Sequence, residues 1–260
     1  MAKLNVRAEL PIRTPNAVIK TAEDVYRQHI SMGANSPLQS FDMVQFNEKL
    51  TNAKAHLEES KHLHAEGEVN TQDAYALIGI FRGQTVKTKG TLYNMLVLIR
   101  NQLLVAHHDE EEQISQYGFN VVVSRNRVRI DLQRRKPDAM LYLCERIYER
   151  HVKLGNESPL KALDMASFNI KCITAKEFLE HARKFHESGE ANMQRAKKLL
   201  GIEKSQNSRT KGTIYYLLSL IRRQLLLTYH GNEEKLSTFG FNVVIRLSKK
   251  RKKKKQANGN

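Results

Sequence analysis

Tryptophan is absent from this 260-residue chain, cysteine occurs twice and proline five times. Two thiols cannot build a disulfide framework, which excludes the small secreted scaffolds that depend on one. No apolar run approaches the length of a membrane span, the longest being stretches such as Met95–Ile99 and Leu225–Leu227, so no membrane insertion is expected. The first residues, MAKLNVRAEL, hold neither a hydrophobic segment nor a small-residue cleavage site. A reducing, intracellular setting is therefore expected, cytoplasmic or, in a eukaryotic host, nuclear. Aromatic residues make up only 7% of the chain, mostly at spacings that suit a core, so base-stacking platforms are not indicated. Zinc-finger spacing, a basic zipper and an RNP-type aromatic pair are all missing, which argues against sequence-specific nucleic-acid readout. So is a Gly-x-Ser-x-Gly elbow, and no Ser or Cys stands beside an evident base, so no enzymatic activity and no cofactor are expected.

What the chain does contain is positive charge, with 43 Lys and Arg against 27 Asp and Glu for a formal net charge of +16. It also contains a repeat. Offset by 122 residues, the sequence matches itself without gaps from Pro15/Pro137 to Val123/Ile245, with about 49 of roughly 109 pairs identical. Ser36-Pro37-Leu38 recurs as Ser158-Pro159-Leu160, and Gly118-Phe119-Asn120-Val121-Val122 as Gly240-Phe241-Asn242-Val243-Val244.

Within each repeat the apolar period is helical. Val18, Ala22, Val25, His29 and Met32 form one stripe from Pro15, matched by Met140, Cys144, Ile147, His151 and Leu154. Proline suits the first turn, and Gly33 and Gly155 suit the stop. Phe46, Leu50, Ala53, Leu57, Ser60 and His64 predict a second helix, Glu68 to Phe81 a shorter third, and Leu92, Met95, Leu96, Ile99 and Leu103 a fourth. The expected fold is mainly α, a tandem duplication of a four-helix up-down bundle. Short β segments are expected at the N-terminus, in the inter-repeat linker and after the last helix. The expected boundaries are residues 1–123 for the first bundle repeat, 124–136 for a basic extended linker, 137–245 for the second repeat and 246–260 for a disordered Lys-rich tail. Cys144 and Cys172 fall on apolar stripes and read as buried thiols.

The charge is unevenly spread. Residues 246–260 carry eight positive groups and no acid, and 125–136 carry six against Asp131, which leaves the two helical repeats close to neutral. On a strand, Arg125, Arg127 and Arg129 would alternate onto one face about 6.6–6.8 Å apart, comparable with successive phosphates along an extended nucleic acid. With Arg134, Arg135, Lys136, Lys249, Lys250, Arg251 and Lys252 they form the candidate contact to nucleic acid or another polyanion.

Two further sets are candidates. Thr88-Lys89-Gly90 and Thr210-Lys211-Gly212, each just before a helix, form an anion site in one reading and a Thr-capped helix start in the other. The order Lys-Gly-Thr after a helix excludes a phosphate-binding loop of the nucleotide-hydrolase type. His64, Glu68, His108 and Glu111, recurring as His186, Glu190, His230 and Glu233, supply metal-ligating chemistry if bundle ends gather them. Arg100 and Arg222 are expected to pair with Glu58 and Glu180. Three functions thus stand in order: a non-enzymatic polyanion-binding protein, a scaffold binding a protein partner through its bundles, and a metal-dependent bundle enzyme.

Overall fold

The computed structural model describes residues 4–85, 87–108, 110–124, 127–132 and 136–247. The fold is mainly helical with a few short strands. In order the elements are β1 (Leu4–Glu9), α1 (Pro15–Met32), α2 (Met43–Ile78), α3 (Leu92–Ala106), β2 (Asn120–Ser124), β3 (Arg127–Asp131), α4 (Pro137–Leu154), α5 (Met165–Leu200), α6 (Ile214–Thr228) and β4 (Asn242–Leu247). Three-residue 3-10 turns follow α1 and α4, and seven-residue ones follow α3 and α6. Among the described residues, no helix is long and apolar enough to cross a membrane.

The helix starts and stops follow local chemistry. Pro15 and Pro137 open α1 and α4, where a missing N–H costs nothing. Thr91 and Thr213 cap α3 and α6, their hydroxyls each accepting the backbone N–H three residues on at 3.2 Å. The expected second and third helices are a single one. α2 runs unbroken for 36 residues, as does α5. The Ala65-Glu66-Gly67-Glu68 stretch holds only one weak helix former, and a lone glycine costs about 1 kcal/mol relative to alanine, too little to stop a helix packed along its length. Each repeat therefore has three helices, one about 54 Å long at 1.5 Å per residue, rather than four of similar size.

The chain divides into two compact units, one of residues 1–61 with 190–260 and the other of residues 62–189. In the first, an antiparallel ribbon pairs β1 with β4, Glu9 opposite Asn242 and Leu4 opposite Leu247. Its core joins Val18, Ala22 and Val25 of α1, Phe46, Leu50 and Leu57 of α2, Ala196 and Leu200 of α5, and Ile214, Leu218, Ile221 and Leu225 of α6. In the second, β2 pairs with β3, Asn120 opposite Asp131, so that the two ribbons use equivalent positions of the repeat. Its core joins Ile78 of α2, Leu92, Leu96, Ile99 and Leu103 of α3, Met140, Cys144 and Ile147 of α4, and Phe168, Cys172 and Ala175 of α5. Each fully buried side chain of this kind contributes roughly 1.5–3 kcal/mol. Both cores thus draw on both repeats, because each long helix buries its first half in one core and its last turns in the other.

Candidate anion site and the other candidate residues

A cavity of about 490 Å³ in the first unit is lined by His56, Arg195, Lys198, Leu199, Gln206, Thr210, Lys211, Gly212 and Thr213. Three pieces of chain meet there: α2, the last turns of α5 and the connection into α6. α5 ends at Leu200, and Gly201 turns the chain with φ +80°. The connection is then held by polar clamps. Arg13 donates from Nη2 to the carbonyls of Glu203 at 2.8 Å and Gln206 at 2.5 Å. Gln206 donates to the Lys198 carbonyl at 3.1 Å, and Lys49 to that of Gly212 at 3.0 Å. The Asn207 N–H donates to the Thr210 hydroxyl at 3.0 Å, and the Thr213 hydroxyl to the Thr210 carbonyl at 2.9 Å.

The lining carries four basic side chains and no carboxylate. Among the described residues none of Arg195, Lys198 and Lys211 has an ion pair. Among the described residues, Arg195 donates to Asn192 Oδ1 at 3.3 Å. Two other cavities hold both signs. One is lined by Glu23, Arg27 and Lys54 among others, with Lys54 and Glu23 2.5 Å apart. The other has Asp138, Glu145, Lys176, Glu180 and Arg183, with Lys176 and Glu145 2.6 Å apart. The hydrogen bond to Glu145 raises the Lys176 ammonium above its ordinary value.

Thr210, Lys211 and Gly212 therefore lie on the cavity wall, together with His56, Arg195 and Lys198, which the sequence reading did not select. Those three are not shared by the repeats: their counterparts are Phe178, Asp73 and Ala76, whereas Gln206 to Thr213 keep Gln84, Thr88, Lys89, Gly90 and Thr91 at the equivalent places. The same clamps recur around Thr88 and Thr91, with the Thr85 N–H on the Thr88 hydroxyl at 2.9 Å and the Thr91 hydroxyl on the Thr88 carbonyl at 2.9 Å. The charge around them does not recur.

Most of the linker and tail candidates lie outside the described residues: Arg125, Arg134, Arg135, Lys249, Lys250, Arg251 and Lys252, and the side chains of Arg127 and Arg129. The backbone places Arg127 opposite Ser124 and Arg129 opposite Val122 in the β2–β3 ribbon, and Lys136 is exposed just before α4.

His64 and His186 do come together, but in mid-helix rather than at helix ends. Their Nδ1 atoms are 3.2 Å apart, in the second unit. Such a contact needs one ring to donate and the other to present a bare nitrogen. Glu68 and Glu190 instead accept from Gln72 at 3.3 Å and Gln194 at 2.5 Å, one turn along their own helices. His108 and His230 are exposed beyond the ends of α3 and α6. Glu233 accepts from the Gly231 N–H at 3.1 Å, and backbone N–H groups hold its carboxyl below the usual range. The Glu111 side chain lies outside the described residues. Among the described residues no group of three or more His, Cys, Asp or Glu is arranged to hold a metal ion.

The expected arginine pairs are not formed. Glu58 meets Lys61 at 2.7 Å and Arg100 meets Asn101 at 3.2 Å, while Arg222 donates to the Ala8 carbonyl of β1 at 3.2 Å. Burial lowers the Arg222 guanidinium from its ordinary value, and the charges of Arg223 and Arg7 add to this. Ser36 and Ser158, contrary to the sequence reading, each stand beside a base: His29 Nδ1 is 2.8 Å from Ser36 Oγ and His151 Nδ1 2.7 Å from Ser158 Oγ. Both serines are buried and also accept the N–H two residues on at 3.3 Å, so the pairs staple the connections after α1 and α4 instead of exposing a nucleophile. Cys144 and Cys172 are free and buried, and burial pushes the Cys144 thiol well up.

Compared with protein families, curated proteins and solved structures, the chain matches none.

Proposed function

We propose that this is a non-enzymatic protein that binds nucleic acid or a similar polyanion through phosphate contacts. The observation that carries the reading is the distribution of charge. Residues 246–260 bring eight positive groups without an acid and 125–136 bring six against one, beside helical repeats close to neutral. Like charges concentrated on one stretch repel one another, and an anionic partner offsets that repulsion while releasing its own counterions. The acid-free cavity beside α6 supports the same direction of binding. The cytoplasm, or the nucleus of a eukaryotic host, is the setting this reading implies.

The test is a mobility-shift titration of single- and double-stranded nucleic acid across a salt series. Binding is expected to weaken linearly on log–log axes, with a slope of about −0.7 to −0.9 per phosphate contacted. Replacing the eight basic residues of 246–260 by glutamine is expected to flatten that slope by several contacts. No binding at low salt, or an unchanged slope in the variant, overturns the proposal.

A further inference from the structure

We propose that the cavity lined by His56, Arg195, Lys198, Thr210, Lys211 and Gly212 is a discrete site for a small oligophosphate, an anion with two or three linked phosphate groups. Its lining residues all lie outside 125–136 and 246–260, so the proposal is tested separately from nucleic-acid binding through those segments.

Three observations converge. The first is sign. Charged side chains in the two cavities described above pair across them, Lys54 with Glu23 and Lys176 with Glu145, whereas here Arg195, Lys198 and Lys211 converge without a carboxylate on the lining. Convergent cations cost repulsion that an ordinary surface avoids by interspersing acids. The second is position within the repeat. The Thr-Lys-Gly-Thr connection and its hydrogen bonds are the same at residues 88–91 and 210–213, so they belong to the fold. The added charges lie only on the lining of the first unit, with Arg195 in place of Asp73 and Lys198 in place of Ala76. The third is construction. Arg13 and Lys49 hold the connection by its carbonyls, Gln206 ties it to the Lys198 carbonyl of α5, and the Asn207 N–H occupies a lone pair of the Thr210 hydroxyl, leaving its proton to donate.

The chemistry selects the ligand. Three permanent cations balance a di- or triphosphate better than a single monoanion. A volume of about 490 Å³ lies within the range of small-molecule sites. The fork of Arg195 suits two oxygens of one phosphate, while Lys198 and Lys211 act as point charges on its neighbours.

Isothermal titration calorimetry of the 260-residue chain with inorganic tripolyphosphate, at about 0.15 M salt to screen exposed charge, tests the site. One saturable site per chain is expected. Arg195→Asp combined with Lys198→Ala, the residues of the first repeat at those positions, is expected to weaken it at least ~10-fold, and Lys211→Gln alone ~3-fold or more. Lys89→Gln, which is not on the lining, is expected to stay within about twofold, and so is a variant of the whole 260-residue chain with Lys249, Lys250, Arg251 and Lys252 changed to glutamine. Lys211 is exposed, so its substitution keeps the test alive if the double variant folds poorly. Absence of saturable binding, or a Lys211→Gln affinity within twofold of the parent, overturns the proposal. So does a loss in the Lys89 or tail variant as large as in the cavity variants.

Discussion

At Gly67 the place of a side chain is taken by the His186 ring: a Cβ there would lie 2.9 Å from Cε1 of that ring. Gly189 stands in the same relation to His64, with 3.1 Å to Cδ2. Both glycines are helical and buried, and each sits in its own helix where the other helix presents an imidazole. Gly67→Ala is therefore expected to destabilise the protein by about 1–2 kcal/mol through steric overlap, outweighing a helix-propensity gain of about 1 kcal/mol. In a His186→Ala background the same change should become stabilising, because the overlap is gone and the propensity gain remains. Denaturant unfolding of the four proteins of this cycle reads the sign change, and a cost that persists without the imidazole refutes the account. That His64 and Gly67 recur together was legible in the sequence. That each glycine serves the other repeat's histidine was not, because nothing along the chain says that residues 119 or 125 apart meet.

The recurring connection before α3 and α6 shows how much one element carries. Gly201 has φ +80°, and a Cβ on it would approach the Thr213 hydroxyl to 2.5 Å; Gly79, with φ +90°, faces Thr91 in the same way at 2.6 Å. Thr213→Ala removes the cap of α6 and is expected to cost about 1 kcal/mol. Gly201→Ala should cost more, about 2–3 kcal/mol, because it adds backbone strain to displacement of the cap. Thermal unfolding that ranks the two the other way contradicts this reading. The capping threonines and the glycine beside them were readable from local pattern, and so were α1, α4 and the strands. The break expected between His64 and Glu68 does not occur, and α2 instead changes core along its length, serving one with Phe46, Leu50 and Leu57 and the other with Ile78.

For the whole molecule, the two compact units do not follow the two repeats. Each core needs α1 or α4, half of each long helix and α3 or α6 from the opposite repeat. A single repeat with its strands, residues 125–247, holds half of each core and the strands β3 and β4, whose partners β2 and β1 differ in one respect. β2 lies in the other repeat's trailing segment and β1 in its leading one. Such a fragment is expected to be dimeric when folded, two copies supplying both halves, and to lose its helical signal on dilution. Light scattering with circular dichroism across a concentration series checks this; a stable compact monomer rules it out. The anion cavity belongs to this scale as well, since His56 comes from α2 of the first repeat and Arg195, Lys198 and Lys211 from the second. The repeat, the helical class, the helix caps and the segregation of charge are all legible along the chain, because periodicity, turn chemistry and ionisation are written in neighbouring residues. Which halves share a core and which cations share a cavity is settled by packing in three dimensions. Those pairings depend on where two 36-residue helices carry their ends, and no local pattern records that.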